Sequence, residues 1–290
     1  MQWLSFVAML LVRILLGLLL GYAVLVFLAW AFQERIAFPA PRGAVPDPRQ
    51  VGAANGERIE LMMRDGTRLA GWYLTPRGPA GDRPGPPWPA LLWFYGNGEN
   101  IASIGAIVRD FQPPGAALLV VDYPGYGGSG GRATEATMNE AADLAYAAVA
   151  RRPDVDRARI YAYGRSLGSA VASHVAAGNV VAGLVLESPF TNALDIAREH
   201  YALFPRFIVR LRLDNLANLR LVRCPVLVFH GTADRLAPLA MGRRVAAAAA
   251  GGPAELVLIQ GAGHNDTYDL GGEAYRRKLW QFVLGGAPVR

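Results

Sequence analysis

The stretch Gly164-Arg165-Ser166-Leu167-Gly168 constrains this chain more than any other. It follows the β-type run Arg159-Ile160-Tyr161-Ala162-Tyr163 and precedes a small-residue helical pattern over residues 169–177. Strand, Gly-x-Ser-x-Gly and helix together are the context of a nucleophile elbow, a turn so sharp that only glycine at Gly164 and Gly168 avoids a clash. The helix that follows aims its free N–H groups and positive dipole end at the reaction centre. The rest of the chain supplies the sheet that such a turn needs. Residues 90–94, 116–122, 182–186, 225–229 and 255–260 are apolar runs of the kind that form buried strands. Residues 57–63 and 68–75 read as a hairpin around Arg64-Asp65-Gly66-Thr67, and residues 76–89 as a Pro/Gly loop. Residues 135–151 have helical spacing, with Thr134 as the N-cap.

A serine hydroxyl is a poor nucleophile at neutral pH, so Ser166 requires a base, and the base requires an acid to orient it. The chain has four histidines. His174 falls in the helix after the elbow, His200 in the long segment after residue 188, and His230 at the end of a strand, where it bonds locally. His264 stands in Gly261-Ala262-Gly263-His264-Asn265-Asp266, a glycine loop past the last strand with the freedom a base needs. For the acid, Asp234 follows the penultimate strand, and the order Ser166, Asp234, His264 is the Ser…Asp/Glu…His order of one hydrolase class. Glu187, after the strand that follows the elbow, is the rival acid. Asp266 is close to His264 in sequence and less suited to orient it.

The run at residues 90–94 feeds into Tyr95-Gly96-Asn97-Gly98-Glu99-Asn100 and then a helical pattern through Gln112. This glycine loop lacks the Gly-Lys-Ser/Thr of a P-loop and the dinucleotide spacing. Beside an elbow it reads as half of an oxyanion hole, with Gly96 and Gly98 shaping the loop. A backbone N–H near Asn97 then pairs with that of Leu167. The second glycine loop, at residues 123–131, borders the site, and its Ser129 is a turn residue because no helix follows at once. Residues 189–222 are longer than a minimal crossover. Phe204, Phe207, Ile208 and Leu211 sit near helical spacing there, which fits either a crossover helix on the sheet or a small cap whose apolar side lines an acyl or lipid pocket.

Residues 14–32 carry no charge, and the apolar character reaches back across Arg13 to Trp3. That length suits a transmembrane helix with Trp3 and Trp30 as interfacial anchors, and no clear small-x-small site marks signal-peptide cleavage. The domain reading is therefore an anchor over residues 1–33, a Pro/Gly/Ala-rich tether over 34–56 and a catalytic domain over 57–290. Arginine counting (Arg35, Arg42 and Arg49 after the span) leans that domain toward the cytoplasm, whereas Arg13 holding the N-terminus inside would send it out. Both orientations stay open. The formal net charge of +6 is almost wholly arginine, with Lys278 the one lysine, and no basic run interleaved with aromatics points to nucleic acid. The single cysteine, Cys224, excludes an intrachain disulfide framework and a cysteine metal cluster.

Taken in order, Gln33-Glu34-Arg35, Gly96-Asn97-Gly98, Tyr123-Pro124-Gly125-Tyr126-Gly127, Gly164-Arg165-Ser166-Leu167-Gly168, Asp234 and His264-Asn265-Asp266-Thr267 resemble the α/β-hydrolase superfamily across residues 57–285. Within it they are similar to the membrane-anchored group that includes α/β-hydrolase domain-containing protein 13, a peptidase-S9-like group. The resemblance implies a mostly parallel sheet flanked by helices and a serine hydrolase with no metal or organic cofactor. One departure is Tyr95, where relatives often carry histidine. The expected protein is thus a membrane-anchored serine hydrolase of carboxyl-ester or thioester substrates, lipid-borne ones included, in the bacterial inner membrane. An S9-like peptidase is the enzyme alternative, and an anchored binding module without turnover is the alternative of another class.

Overall fold

The computed structural model describes residues 2–77 and 85–285, so residues 78–84 of the expected Pro/Gly loop and the last five residues lie outside the described residues. Eight strands form one sheet: β1 (Gly56–Met62), β2 (Arg68–Leu74), β3 (Trp88–Phe94), β4 (Ala117–Val121), β5 (Val155–Arg165), β6 (Gly183–Glu187), β7 (Val226–Gly231) and β8 (Ala254–Ile259). Their spatial order is β1-β2-β4-β3-β5-β6-β7-β8. Only β2 runs against its neighbours, pairing antiparallel with β1 and β4, and every later pair is parallel. This is the mostly parallel sheet that the resemblance implies, with the apolar runs as its buried strands. Strands β4, β6 and β7 are buried along their whole length, because helices cover both faces of the parallel part.

The helices are α1 (Gln2–Ala31), α2 (Gln33–Ala37), α3 (Ile101–Phe111), α4 (Glu135–Ala150), α5 (Leu167–Gly178), α6 (Ala193–His200), α7 (Asn215–Leu219), α8 (Leu239–Ala248) and α9 (Thr267–Val283). Helices α4, α5, α7 and α8 pack side by side on one face. On the other, Phe111 of α3 stacks on Trp93 of β3 with ring centroids 4.1 Å apart, and Tyr275 of α9 stacks on Phe229 of β7 at 3.9 Å. Thr134 caps α4 in a reciprocal capping box with Thr137, and Asn100 does the same for α3 with Ser103.

Two segments differ from what their composition predicts. The stretch read as a tether is docked on the domain. Phe38 is buried, Gly43 donates to the Gly127 carbonyl at 3.1 Å, and Gly127 donates to the Pro41 carbonyl at 2.8 Å. The segment between β6 and β7, expected as a crossover helix or a small cap and here called the cap, holds α6, a single 3-10 turn at Arg206–Ile208, and α7. The near-helical spacing from Phe204 to Leu211 does not make an α-helix. Pro205 lies inside it, lacks an N–H, and stands in extended backbone before the short turn. Phe204, Ile208 and Leu211 face inward along the cavity wall, whereas Phe207 points outward and is 84% exposed. Helix α1 makes few contacts with the domain, and its apolar stretch Ser5–Ala31 is long enough to cross a membrane.

Candidate active site

Ser166 sits between the end of β5 and the first turn of α5 with φ of +50° and ψ of −116°, a conformation that costs a residue with a side chain strain energy. The surroundings enforce it. The Ser166 N–H donates to the Glu187 carbonyl on β6 at 2.9 Å. A Cβ on Gly164 would collide with the Gly168 carbonyl, and one on Gly168 with the carbonyls of Phe94 and Tyr95, so both glycines are required by close backbone approach. The strained turn lifts the serine hydroxyl clear of the sheet and leaves it at the positive end of α5.

His264 reaches this hydroxyl from the loop after β8, with Nε2 2.8 Å from Ser166 Oγ. Its Nδ1 lies 2.8 Å from Oδ2 of Asp234. Because a carboxylate only accepts, Nδ1 carries the proton toward Asp234 and Nε2 is left to accept from the serine. Asp234 is fully covered and rigidly held, its Oδ1 accepting from the N–H groups of Leu236 at 2.9 Å and Ala237 at 2.8 Å. Burial alone would push its carboxyl up, but the His264 bond and charge and the Ala237 N–H outweigh it and hold the group below its ordinary value. The three residues thus form one continuous hydrogen-bonded chain.

The other titratable candidates are occupied elsewhere. His174 pairs with Asp143 on the surface, His200 reaches the Leu236 carbonyl, and His230 reaches that of Ala237 at 2.7 Å. Glu187 is buried and accepts from Tyr163, Thr267 and Tyr275, while Asp266 accepts from the Gly263 N–H at 2.6 Å. Among the described residues, no group of three or more His, Cys, Asp or Glu is placed to hold a metal ion.

The loop from Tyr95 to Asn100 lies across the elbow from His264. Among the described residues, the backbone N–H groups of Asn97 and Leu167 have no protein acceptor, and both residues border the cavity that holds Ser166. The Asn97 side chain is turned away from the site: its Nδ2 donates to the Ala37 carbonyl at 2.8 Å, and its Oδ1 accepts from the Tyr126 hydroxyl at 2.8 Å. Tyr95 is buried at the start of this loop. Its hydroxyl donates to Oδ1 of the buried Asp122 at 2.9 Å and accepts from the Tyr123 N–H at 3.1 Å. The same carboxylate accepts from the N–H groups of Ile101 and Gly128, so it clamps the oxyanion-side loop, the start of α3 and the second glycine loop together.

Sequence reasoning passed over the residue that ties these loops to one another. Arg165, the variable residue inside the elbow, donates to Glu99 and to Asn265 Oδ1 at 2.8 Å, and its Nε lies 3.8 Å from Glu187. Glu99 in turn accepts from the Gly96 N–H at 2.6 Å. One guanidinium therefore bridges the oxyanion-side loop, the elbow and the histidine loop, a use that its planar set of donors suits. No local signal marks this role, since the partners are 66 and 100 residues away.

Ser166 opens onto a cavity of about 1320 Å³ walled by the cap, by Trp93, Ile104 and Ile107, and by Ala29, Gln33 and Ile36 from the end of α1 and from α2. It exceeds the roughly 300–1,000 Å³ of ordinary small-molecule sites. Gln33 holds the cap to this wall, donating to the Ile208 carbonyl and accepting from the N–H groups of Arg210 and Leu211.

Comparisons with known proteins bear on the fold and the family. Residues 85–218 match the family model described as serine aminopeptidase, S33, where the sequence resemblance pointed to an S9-like group. Protein Rv2307c of Mycobacterium tuberculosis is 34% identical over 275 residues, covering 92% of this chain and 94% of its own. The α/β-hydrolase domain-containing protein WAV2 of Arabidopsis thaliana is 30% identical over 301 residues, covering 93% and 92%. Among solved structures, the Pyrococcus furiosus esterase PF2001 superposes with a TM-score of 0.66 at 16% identity, over 86% of this chain and 97% of that one. These matches support the superfamily and do not single out the domain-containing protein 13 group. The chain belongs to the α/β-hydrolase family.

Proposed function

We propose that the protein is a membrane-anchored serine hydrolase that cleaves carboxyl-ester or thioester bonds of acyl substrates, with α1 as the anchor, residues 57–290 as the catalytic domain and residues 189–222 as its cap. The observation that carries this reading is the hydrogen-bonded chain Ser166–His264–Asp234 at the wall of a large, mostly apolar cavity. In this mechanism Ser166 Oγ bonds to the acyl carbon while its proton passes to His264 Nε2. Asp234 steadies the resulting imidazolium, and the Asn97 and Leu167 N–H groups take up the oxyanion. The proton then moves from His264 to the departing alkoxide or thiolate, and water, activated by the same imidazole, releases the acid and restores the serine. Each oxyanion donor is worth about 2.7–4 kcal/mol in comparable sites, so the free N–H pair is a large contribution.

The test is hydrolysis of p-nitrophenyl esters across acyl lengths by wild type and Ser166→Ala, with fluorophosphonate labelling alongside. Expected are turnover that rises toward longer acyl chains, labelling of Ser166, and loss of both in the variant. No turnover at any length and no labelling would refute the enzyme and leave the anchored binding module. The description of the matching family model, serine aminopeptidase, favours a second reading, peptide cleavage. Aminoacyl p-nitroanilides cleaved faster than every ester would establish that one instead.

A further inference from the structure

We propose that residues 201–209 of the cap form a membrane-inserting loop that lies in the leaflet beside α1, so that the active-site cavity meets the bilayer directly; this rests on the reading of α1 as a membrane span. The hydroxyl of Tyr22, in α1, donates to the Leu203 carbonyl at 2.6 Å, which fixes the loop against the helix at that height. A span needs about 20 residues to cross the hydrocarbon. Every 20-residue window within Ser5–Ala31 contains Tyr22, from about two to about nine residues inside its C-terminal end. At about 1.5 Å per residue, Leu203 then lies about 3–14 Å below the hydrocarbon boundary, a range that includes the depth at which interfacial segments rest.

The loop has the chemistry for that position. Its exposed large apolar side chains are Tyr201, Leu203 and Phe207, at 56%, 83% and 84%; Ala202 and Arg206 are exposed beside them, and the long arginine stem can carry its charge up to the headgroups. Polar backbone in hydrocarbon must be satisfied from within the protein, and several of the loop's carbonyls are. Leu203 accepts from Tyr22, Ile208 from Gln33, Tyr201 from the Phe204 N–H, Pro205 from Ile208 and Arg206 from Val209. A hydroxyl from α1 and an amide from α2 supply bonds that water would supply in a soluble loop. Above the loop, the Arg210 guanidinium sits 4.9 Å from the Trp30 ring centre and donates to the Trp30 carbonyl at 3.0 Å, an aromatic and a cation at headgroup height. Tyr201 and Phe204 also border the cavity, as does Ala29 of α1, so its wall joins the inserted surface.

The test uses Leu203→Cys, Phe207→Cys, Leu18→Cys and Val180→Cys, one at a time in the full chain, each labelled with an environment-sensitive fluorophore and reconstituted in phosphatidylcholine–phosphatidylglycerol vesicles. Cys224 stays in place, since burial pushes its thiol up to about 11 and keeps it unreactive at labelling pH. Unmutated protein supplies the background. Leu18, in α1, reports the anchor, and Val180, 81% exposed beyond α5, reports water. Labels at 203 and 207 are expected to shift to the blue, to be quenched by spin-labelled lipid and to lose quenching by iodide, while the label at 180 is quenched by iodide alone. Lipid quenching at 18 with iodide quenching at 203 and 207 would overturn the inserted loop and spare the anchor. No lipid quenching at 18 would remove the anchor itself. Shielding of 203 and 207 from both quenchers would mean that another protein surface, such as a second copy of the chain, covers the loop, and that too would overturn the proposal.

Discussion

Arg165 offers the sharpest test of how the site is held together, through a double-mutant cycle with Glu99. The side chains are 16% and 27% exposed, between a surface pair, worth about 0.2–1 kcal/mol, and a buried pair, whose disruption costs about 3–5 kcal/mol. Arg165→Met also strands Glu187, 3% exposed, without its nearby cation. A loss of about 3 kcal/mol follows, which lowers the melting temperature by about 6–12 °C for a domain of this size. Glu99→Gln keeps an oxygen for the Gly96 N–H and loses only charge, so it costs about 1 kcal/mol. The double variant should be less destabilised than the sum by about 1–2 kcal/mol. In kinetics, Arg165 touches no reacting atom. It acts by placing the loops that carry Asn97 and His264, and a misplacement of about 1 Å lowers the rate about 10²-fold. The fall should appear in kcat on a soluble ester with KM nearly unchanged, and Arg165→Lys should recover part of it. Strictly additive effects on stability and kcat, or an Arg165→Met enzyme with wild-type kcat, would refute the bridging role.

Other consequences are as direct. Asp234→Asn keeps an oxygen for the Leu236 and Ala237 N–H groups but cannot hold the imidazole in its tautomer, so kcat should fall about 10⁴-fold with little change in melting temperature. Unchanged turnover would point to another acid. Gly168→Ala drives a methyl into the Phe94 and Tyr95 carbonyls and should cost about 3 kcal/mol, the upper end for overpacking; thermal unfolding at the wild-type temperature would show that the backbone yields. His230 is held neutral by burial, which outweighs its bond to the Ala237 carbonyl and the nearby Asp234 charge, so its folded pKa lies below the ordinary 6.5. Below about pH 6.5 the unfolded chain therefore binds a proton that the folded chain does not, and stability is lost as the pH is lowered. Asp234, with its pKa depressed, adds its own loss only lower, as pH drops past 3.8 toward its folded value. Melting temperature measured from pH 7 to 5 should fall in wild type and fall less in His230→Gln; identical slopes would exclude His230 as the source.

Strands β3, β4, β6 and β7 were readable because each is a short apolar run between turn residues, and pairing in a parallel sheet buries such runs whatever their neighbours are. Ser166, Asp234 and His264 could be named for a related reason: each stands just past a strand end, where this kind of sheet gathers its functional loops, and the chain order carries the rest. The cap was read less well. The spacing of Phe204, Ile208 and Leu211 suits one face of a helix, yet those side chains reach the cavity from irregular backbone that Pro205 imposes, and Phe207 faces the opposite way. The docked stretch around Phe38 was hidden behind its Pro and Gly content, because backbone bonds such as Gly43 to Gly127 leave no mark in composition. Arg165 is the same failure at longer range.

The loop from Tyr95 to Asn100 explains how a glycine-rich segment can be firm enough to bind a developing charge. Glycines let the backbone turn its N–H groups inward, but the same freedom would let them turn away, and a donor that must reorganise contributes less to the transition state. Here every side chain with a polar end is used as a strut. Tyr95 is fixed to Asp122, whose carboxyl burial pushes above its usual range even while Gly128, Ile101 and Tyr95 donate to it. Asn97 is fixed between Ala37 and Tyr126, Glu99 between Gly96 and Arg165, and Asn100 caps α3. Because the Asn97 amide is committed to these partners it does not turn into the cavity, which leaves the backbone N–H as the donor that the proposed mechanism requires. The Asn97 bond to Ala37 also ties this loop to the segment that follows α1, so the loop's struts reach from the elbow to the amino-terminal helices.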